Sequence, residues 1–270
     1  MLAGLVDAHV HLDSDRLGAP VDDVIAEARA AGVETFVLAG IDPASWADQR
    51  RLVARYPGVV HPVFGLHPQR VAELTLDEVH DGLAALETAL CEGPRPVALG
   101  ETGLDAYTPA RKATLSLQAL SFRAHLDLAR RYDLPLVLHL LKAAGPALEL
   151  LGAAGLPPAG GVVHSFSGPP EVALAYVRLG LHLSLSGALT WPGARRLVAA
   201  AAAVPLDRLL IETDSPDQAP HPHRGEVNRP ALLPLIAQAL AEVRGISVAE
   251  VVRATAANAR RLYRLIAPTP

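Results

Sequence analysis

Short apolar, β-branched runs of strand length recur along the 270 residues, separated by longer segments of helical periodicity. That alternation is the signature of parallel βαβ units and admits few folds. The runs fall at 5–10, 33–39, 59–66, 96–100, 136–140, 161–166, 181–185 and 208–213. Helices are predicted near 20–31, 44–56, 75–91, 110–132, 143–154, 170–179 and 193–203, with two more near 230–243 and 247–265 after the last strand. In the 110–132 segment, Leu117, Leu120, Ala124 and Leu128 share a stripe expected to face the sheet. Eight parallel strands with intervening helices most simply close into an α/β fold, the (β/α)8 TIM barrel. The alternative, an open doubly wound sheet, would carry a Gly-rich phosphate fingerprint after its first strand. The sequence there is DAHVHLD. No linker or low-complexity segment interrupts the pattern, so 1–270 reads as one domain.

A chain of this length buries about three quarters of its unfolded surface, so neither disulfides nor a structural metal are needed for the fold. Any metal would be functional. Cys91 is the only cysteine, which excludes a disulfide framework and a multi-cysteine zinc module and points to the cytoplasm. The opening MLAGLVDAHVHLD lacks the basic n-region of a secretory signal. The longest uncharged stretch, 150–170, is broken by Gly and Pro and contains His164, so no membrane span is expected. A net charge of −4 without a basic block argues against a broad electrostatic grip on duplex nucleic acid, while leaving local contacts open. The oligomeric state is left open, a monomer included.

In a barrel of this kind the active site is built at the C-terminal ends of the strands. Those ends are rich in metal-ligating side chains. The first strand ends in Asp7, His9 and His11, which share a face at period two. The fourth runs through Gly100 into Glu101, the fifth into His139, the sixth into His164, and the eighth into Glu212, Thr213 and Asp214. His9, His11, His139 and His164, with Glu101 and Asp214, would therefore converge from five strands on one mouth. His80 and His125, on helices, read as structural, and His61 and His182, near strand starts, belong to the opposite face or the helix interface. Asp7 is read as orienting an imidazole rather than binding metal. The Asp214-Ser215-Pro216 sequence could be a turn or a helix cap, but its strand-end position favours the site. Imidazole and carboxylate together suit Mg, Mn or Zn, and a shared carboxylate can bridge two ions. Two such ions lower the pKa of water from 15.7 towards ~7, which makes a hydrolytic nucleophile at neutral pH. Asp214 is the candidate general base.

Seven segments then match, in order, the TatD-like metal-dependent nucleases: DAHVHLD at 7–13, GLHP at 65–68, GETGLD at 100–105, LHLLKA at 138–143, HSFSG at 164–168, ETDSP at 212–216 and NARRLY at 258–263. Gln118, Phe122 and the 126–129 segment resemble the family's helix before the fifth strand. The resemblance implies an amidohydrolase-type TIM barrel with two divalent ions that hydrolyses phosphodiester bonds in DNA, often as a 3′ to 5′ exonuclease. It implies that His9, His11 and Asp214 hold one ion, that His139 and His164 hold the other, and that Glu101 bridges both. His67 and Asp105 correspond to loop residues that contact ligands or substrate. Two departures remove expected positive charge. Leu140, Leu141 and Lys142 follow the fifth-strand histidine where the family carries a polar residue, Arg and an acid, leaving Lys142 to supply charge nearby. Arg224, Gly225, Glu226, Val227 and Asn228 stand where the family often has RGK followed by Arg and Asn. Arg224, Arg229, His221 and His223 remain for substrate contacts in a Pro- and His-rich loop that could wall the mouth.

The expected substrate is thus nucleic acid, as single strands or frayed ends. A small-molecule amidohydrolase, phosphoesterase or lactonase in the same barrel is the alternative, favoured by the acidic balance and the missing Arg. A non-enzymatic scaffold is disfavoured because every ligand position is filled.

Overall fold

A computed structural model describes residues 3–265. Its strands are β1 (Leu5–Val10), β2 (Val33–Leu38), β3 (Val60–His61), β4 (Val63–Phe64), β5 (Ala98–Asp105), β6 (Leu136–Leu141), β7 (Gly161–Val163), β8 (His182–Leu185) and β9 (Leu209–Ile211). They pair in parallel and in sequential order, β1 to β3 in one sheet and β4 to β9 in another. β3 and β4 are two pieces of the third predicted strand, divided at Pro62, which has no N–H to give to a ladder. Between β9 and β1 the ring is completed by Asp214 N donating to His9 O at 3.0 Å and His11 N donating to Ser215 O at 2.9 Å. The architecture is the expected (β/α)8 barrel.

The helices are α1 (Val21–Ala30), α2 (Pro43–Arg55), α3 (Pro68–Val71), α4 (Leu76–Cys91), α5 (Pro109–Ala113), α6 (Leu115–Tyr132), α7 (Ala144–Ala154), α8 (Pro170–Arg178), α9 (Arg195–Ala203), α10 (Leu233–Arg244) and α11 (Val248–Tyr263). Local chemistry sets several starts. Asp42 caps α2 and Thr75 caps α4, each with a reciprocal bond from the third helical residue, Ser45 or Glu78. Among the described residues no single helix is long and apolar enough to cross a membrane.

Three local expectations are corrected. The helix predicted near 110–132 breaks at Thr114, whose hydroxyl donates to Arg111 O at 2.9 Å, giving α5 and α6. The buried face of α6 is Gln118, Ser121, Phe122, His125, Leu126, Leu128 and Ala129, whereas Leu117, Leu120 and Ala124 are only half-buried. The stripe turns because two polar side chains are needed inside: Gln118 bonds the backbone N and O of Asp105, and His125 Nε2 accepts from Leu66 N at 3.1 Å. The fourth predicted strand does not end at Gly100 but runs to Asp105, so Glu101 lies within a strand rather than at a loop entrance.

Two apolar layers surround the strands. Leu136, Leu138, Val163, Leu209 and Ile211 pack with Phe122, Leu126, Ala173 and Leu197 of the helices. Val137, Val162 and Leu210 pack in a second cluster that includes Ala256, Ala259 and Leu262 of α11. These three residues stand two before His139, His164 and Glu212, so at period two they share the inward face with them. α11 lies across the strand starts: Asn258 Nδ2 donates to Leu206 O and Leu209 O, both at 2.8 Å, and Arg264 pairs with Asp133 just before β6. The interior is therefore apolar at its N-terminal end and polar at its C-terminal end.

Candidate metal centre

The polar end is organised by a close backbone crossing. A Cβ on Gly40 would lie 2.1 Å from Gly100 O, and one on Gly65 would lie 2.5 Å from Gly100 C. Only glycine permits this approach. Glu101 N donates to Gly40 O at 2.7 Å, which fixes the carboxylate at the barrel centre, where it is 1% exposed. Ser165 and Asp214, just beyond β7 and β9, have positive φ of 45° and 55°. Such strained conformations cluster at functional sites.

The two oxygens of Glu101 face different partners. Oε1 lies 3.4 Å from His9 Nε2 and 3.8 Å from His11 Nε2, and Asp214 Oδ1 stands 3.4 Å from His11 Nε2 and 3.7 Å from His9 Nε2. Oε2 lies 2.8 Å from His164 Nε2, 3.2 Å from His67 Nε2 and 3.5 Å from His139 Nδ1. His9, His11 and Asp214 form one donor group of metal-binding dimensions; Glu101 joins His9 and His164 in a second, and His67 and His139 in a third. Both ring nitrogens of His9 and both carboxylate oxygens of Glu101 are buried without a hydrogen-bond partner. Buried polar atoms are rarely left so, and convergent orphaned lone pairs are what a divalent cation satisfies. The residues present therefore fit a metal.

A supporting shell stands behind them. His139 Nε2 faces Asp105 Oδ2 at 3.2 Å; since a carboxylate only accepts, the ring proton sits on Nε2 and the Nδ1 lone pair points inward. Asp105 is itself held by Gln69 Nε2 at 2.9 Å, Arg111 at 3.1 Å and Tyr107 N at 2.8 Å. Glu212 Oε1 accepts from Ser165 N at 2.6 Å and lies 3.4 Å from His164 Nδ1. Gln218 Nε2 donates to Asp214 Oδ2 at 2.6 Å. Asp7 differs from its expected part: its oxygens accept from Thr213 N at 2.9 Å and Thr213 Oγ1 at 2.5 Å, tying β1 to the end of β9 rather than orienting an imidazole.

The electrostatics follow from burial and crowding. Burial alone would raise the Glu101 carboxyl, but the imidazoles of His67, His164 and His9 hold it well below its usual range. Burial opposes charge on His11, yet the Asp214 and Glu101 carboxylates push it up to about 9. Asp214, despite its burial, is held at about 2 by His11, His164 and His9. Asp7, with no cation beside it, is pushed by burial up to about 8.

His67, His139, His164, Glu101, His11 and Asp214 all line a mouth of about 640 Å³. His67 Nδ1 accepts from Gln69 N at 3.0 Å, so its proton is on Nε2, which faces Glu101 Oε2 at 3.2 Å without offering a lone pair. Asp105 lies behind His139 and not on the mouth. Lys142 lines a neighbouring cavity with Phe166 and Arg196, and Arg224 stacks over Trp191 in another. Arg229 precedes the short 3-10 turn Pro230–Leu232, His223 pairs with Glu226 at 3.0 Å, and neither lines the mouth; nor does His221. Gln69, Arg111 and Gln218 had no sequence signal, since nothing local to them records a distant carboxylate.

A (β/α)8 barrel with imidazoles and carboxylates converging at its C-terminal mouth belongs to the metal-dependent hydrolases. Residues 6–264 match the family of TatD related DNases, and the chain belongs to that family. It is 38% identical over 268 residues to the uncharacterized metal-dependent hydrolase TatD of Mycobacterium tuberculosis, covering 97% of this chain and 98% of that protein. It is 32% identical over 269 residues to the deoxyribonuclease TATDN3 of Homo sapiens, covering 96% and 94%. Among solved structures, the TatD homolog YjjV of Escherichia coli superposes with a TM-score of 0.90 at 28% identity, covering 98% of this chain and 100% of that one. A phosphotriesterase homology protein of Escherichia coli, at 17% identity and a TM-score of 0.62, shares the fold.

Proposed function

We propose that this hydrolase cleaves phosphodiester bonds of nucleic acid as a 3′ to 5′ exonuclease on single-stranded or frayed DNA ends, using two divalent ions drawn from Mg, Mn and Zn. The observation that carries the reading is the division of Glu101: one oxygen faces His9 and His11, which Asp214 also flanks, and the other faces His139 and His164. In this reading His9, His11 and Asp214 would hold one ion, His139 and His164 the other, and Glu101 would be shared between them. Ions bound by these residues would supply water activation and stabilisation of charge developing on a phosphoryl group. Asp214, ionised at neutral pH and steadied through Oδ2 by Gln218, accepts the water's proton as general base. Asp105 fixes the His139 tautomer, and His67, whose Nε2 proton points into the mouth beside Glu101 Oε2, would donate to a substrate oxygen bound there. The deoxyribonuclease name of a relative that matches nearly the whole chain supports nucleic acid as substrate.

The test is metal-stripped protein on a fluorescent single-stranded oligonucleotide, with Mg, Mn or Zn restored in turn and Glu101→Ala in parallel. Stepwise shortening from the 3′ end that needs metal and disappears in the variant is expected. Cleavage that survives in purified Glu101→Ala would sink the mechanism. A second reading, hydrolysis of a cyclic ester or small phosphoester, draws on the rim, where Asp13, Asp48, Glu73 and Asp217 outnumber Arg16 and Arg70. Turnover of a cyclic-ester panel without oligonucleotide cleavage would select it.

A further inference from the structure

Beside the mouth lies a second cavity of about 480 Å³ that shares Arg16, Pro216, Asp217 and Gln218 with it as a common wall. Its far side is Trp191, with the Arg224 guanidinium 4.6 Å from the ring centroid. The charges sort themselves. Arg16 makes two bonds to Asp217, at 2.6 and 2.8 Å, so that acid is ion-paired, and Glu226 lies 3.0 Å from His223 Nδ1. Arg224 is exposed and, among the described residues, has no carboxylate partner. The platform is also preformed. Trp191 Nε1 donates to Ala219 O at 2.8 Å, His221 N to Thr190 Oγ1 at 2.7 Å, and Asn228 Nδ2 to Thr213 O and Asp217 O, both at 2.7 Å. A fixed indole, an unpaired guanidinium and the apolar rim of Val227, 49% exposed, are the chemistry that receives a flat heteroaromatic ring carrying a phosphate.

We infer that this shelf is a base-stacking subsite: it takes the base of the nucleotide joined to the scissile phosphate, with Trp191 and Arg224 as its stacking surface. The inference rests on the nucleic-acid reading above. Gln218 links the two places, because it lines the shelf while holding Asp214 Oδ2. Every base has a π face, so the subsite accepts all four and distinguishes a base from none.

Two measurements separate the subsite from the activity. The chain has two tryptophans, and Trp46 is buried at 3% exposure, so quenching by an added solute reports Trp191. In EDTA, dAMP should quench the emission saturably while deoxyribose 5-phosphate should not, and Arg224→Ala should weaken the effect several-fold. Absence of saturable quenching by dAMP would overturn the subsite even if the enzyme cleaves DNA. With metal restored, intact and terminally abasic oligonucleotides should differ about 10-fold in kcat/KM, a difference lost in Trp191→Ala and largely kept in Trp191→Phe. Equal losses on both oligonucleotides in Trp191→Ala would mean a structural tryptophan and also overturn the inference. If no oligonucleotide is cleaved by the wild type, the proposed function fails, and saturable dAMP quenching still decides for the subsite.

Discussion

The part an acid plays in this barrel depends on what stands behind it. Asp105 does not line the mouth, yet its contact to His139 Nε2 decides which nitrogen of that ring carries the lone pair. Outer partners of this kind usually account for 10- to 100-fold in metal affinity. Asp105→Ala should therefore weaken metal binding by about that factor while the protein stays folded, as read by competition with a chromophoric chelator. Unchanged affinity would mean that His139 is oriented by packing alone. His67 makes the complementary case. Its Nδ1 is occupied by Gln69 N–H, so His67→Gln should lower kcat/KM and leave the metal stoichiometry, measured by elemental analysis, as in the wild type. The six candidate ligands were legible because they sit at strand ends in a period of two or beside glycine. The division of labour among Asp7, Asp105 and His67 was not, since it depends on which distant donor each meets: Thr213, His139 and Gln69 are settled by the fold and leave no local trace.

At the scale of elements, the eight apolar runs were readable because each is buried on both faces between helices and the barrel interior. Their breaks were not. Pro62 divides one run, Thr114 ends a helix early, and β5 continues past Gly100 because its glycines pass close to the neighbouring strand. The crossing of Gly40, Gly65 and Gly100 is an element-level device for placing one carboxylate, and it is sterically closed. Gly65→Ala should cost about 1–3 kcal/mol in urea unfolding and weaken metal binding, because backbone rather than a flexible side chain must give way. Gly152→Ala is the contrast. It lies within α7 with nothing within 4 Å of an added Cβ, so the substitution should stabilise by about 0.5–1 kcal/mol. If Gly65→Ala proves as benign as Gly152→Ala, the crossing does not hold Glu101 in place.

For the molecule as a whole, the barrel concentrates polar groups at one end and keeps the other end and the helix interface apolar, so a histidine buried outside the mouth must stay neutral. His125 is fully buried in α6: Nε2 accepts from Leu66 N at 3.1 Å and Nδ1 donates to Ser121 O at 2.8 Å. Burial pushes it down to about 4, and burial likewise takes His182 at the start of β8 down to about 4. In the unfolded chain a histidine titrates near ~6.5, so between that pH and about 4 the unfolded state binds the extra proton. Stability therefore falls as pH drops through this window and is fully present above it. The loss from His125 alone is about 2 kcal/mol at pH 5. Urea unfolding in EDTA at pH 7.5 and pH 5 isolates the effect from metal release. His125→Gln should be less stable than the wild type at pH 7.5, having lost a fitted ring, but should lose less on going to pH 5, by about that amount. The mouth ligands titrate alike in both proteins and cancel in the comparison. An identical drop in the two would show that His125 does not couple the fold to acid, and would shift that coupling to His182 and the groups of the metal centre.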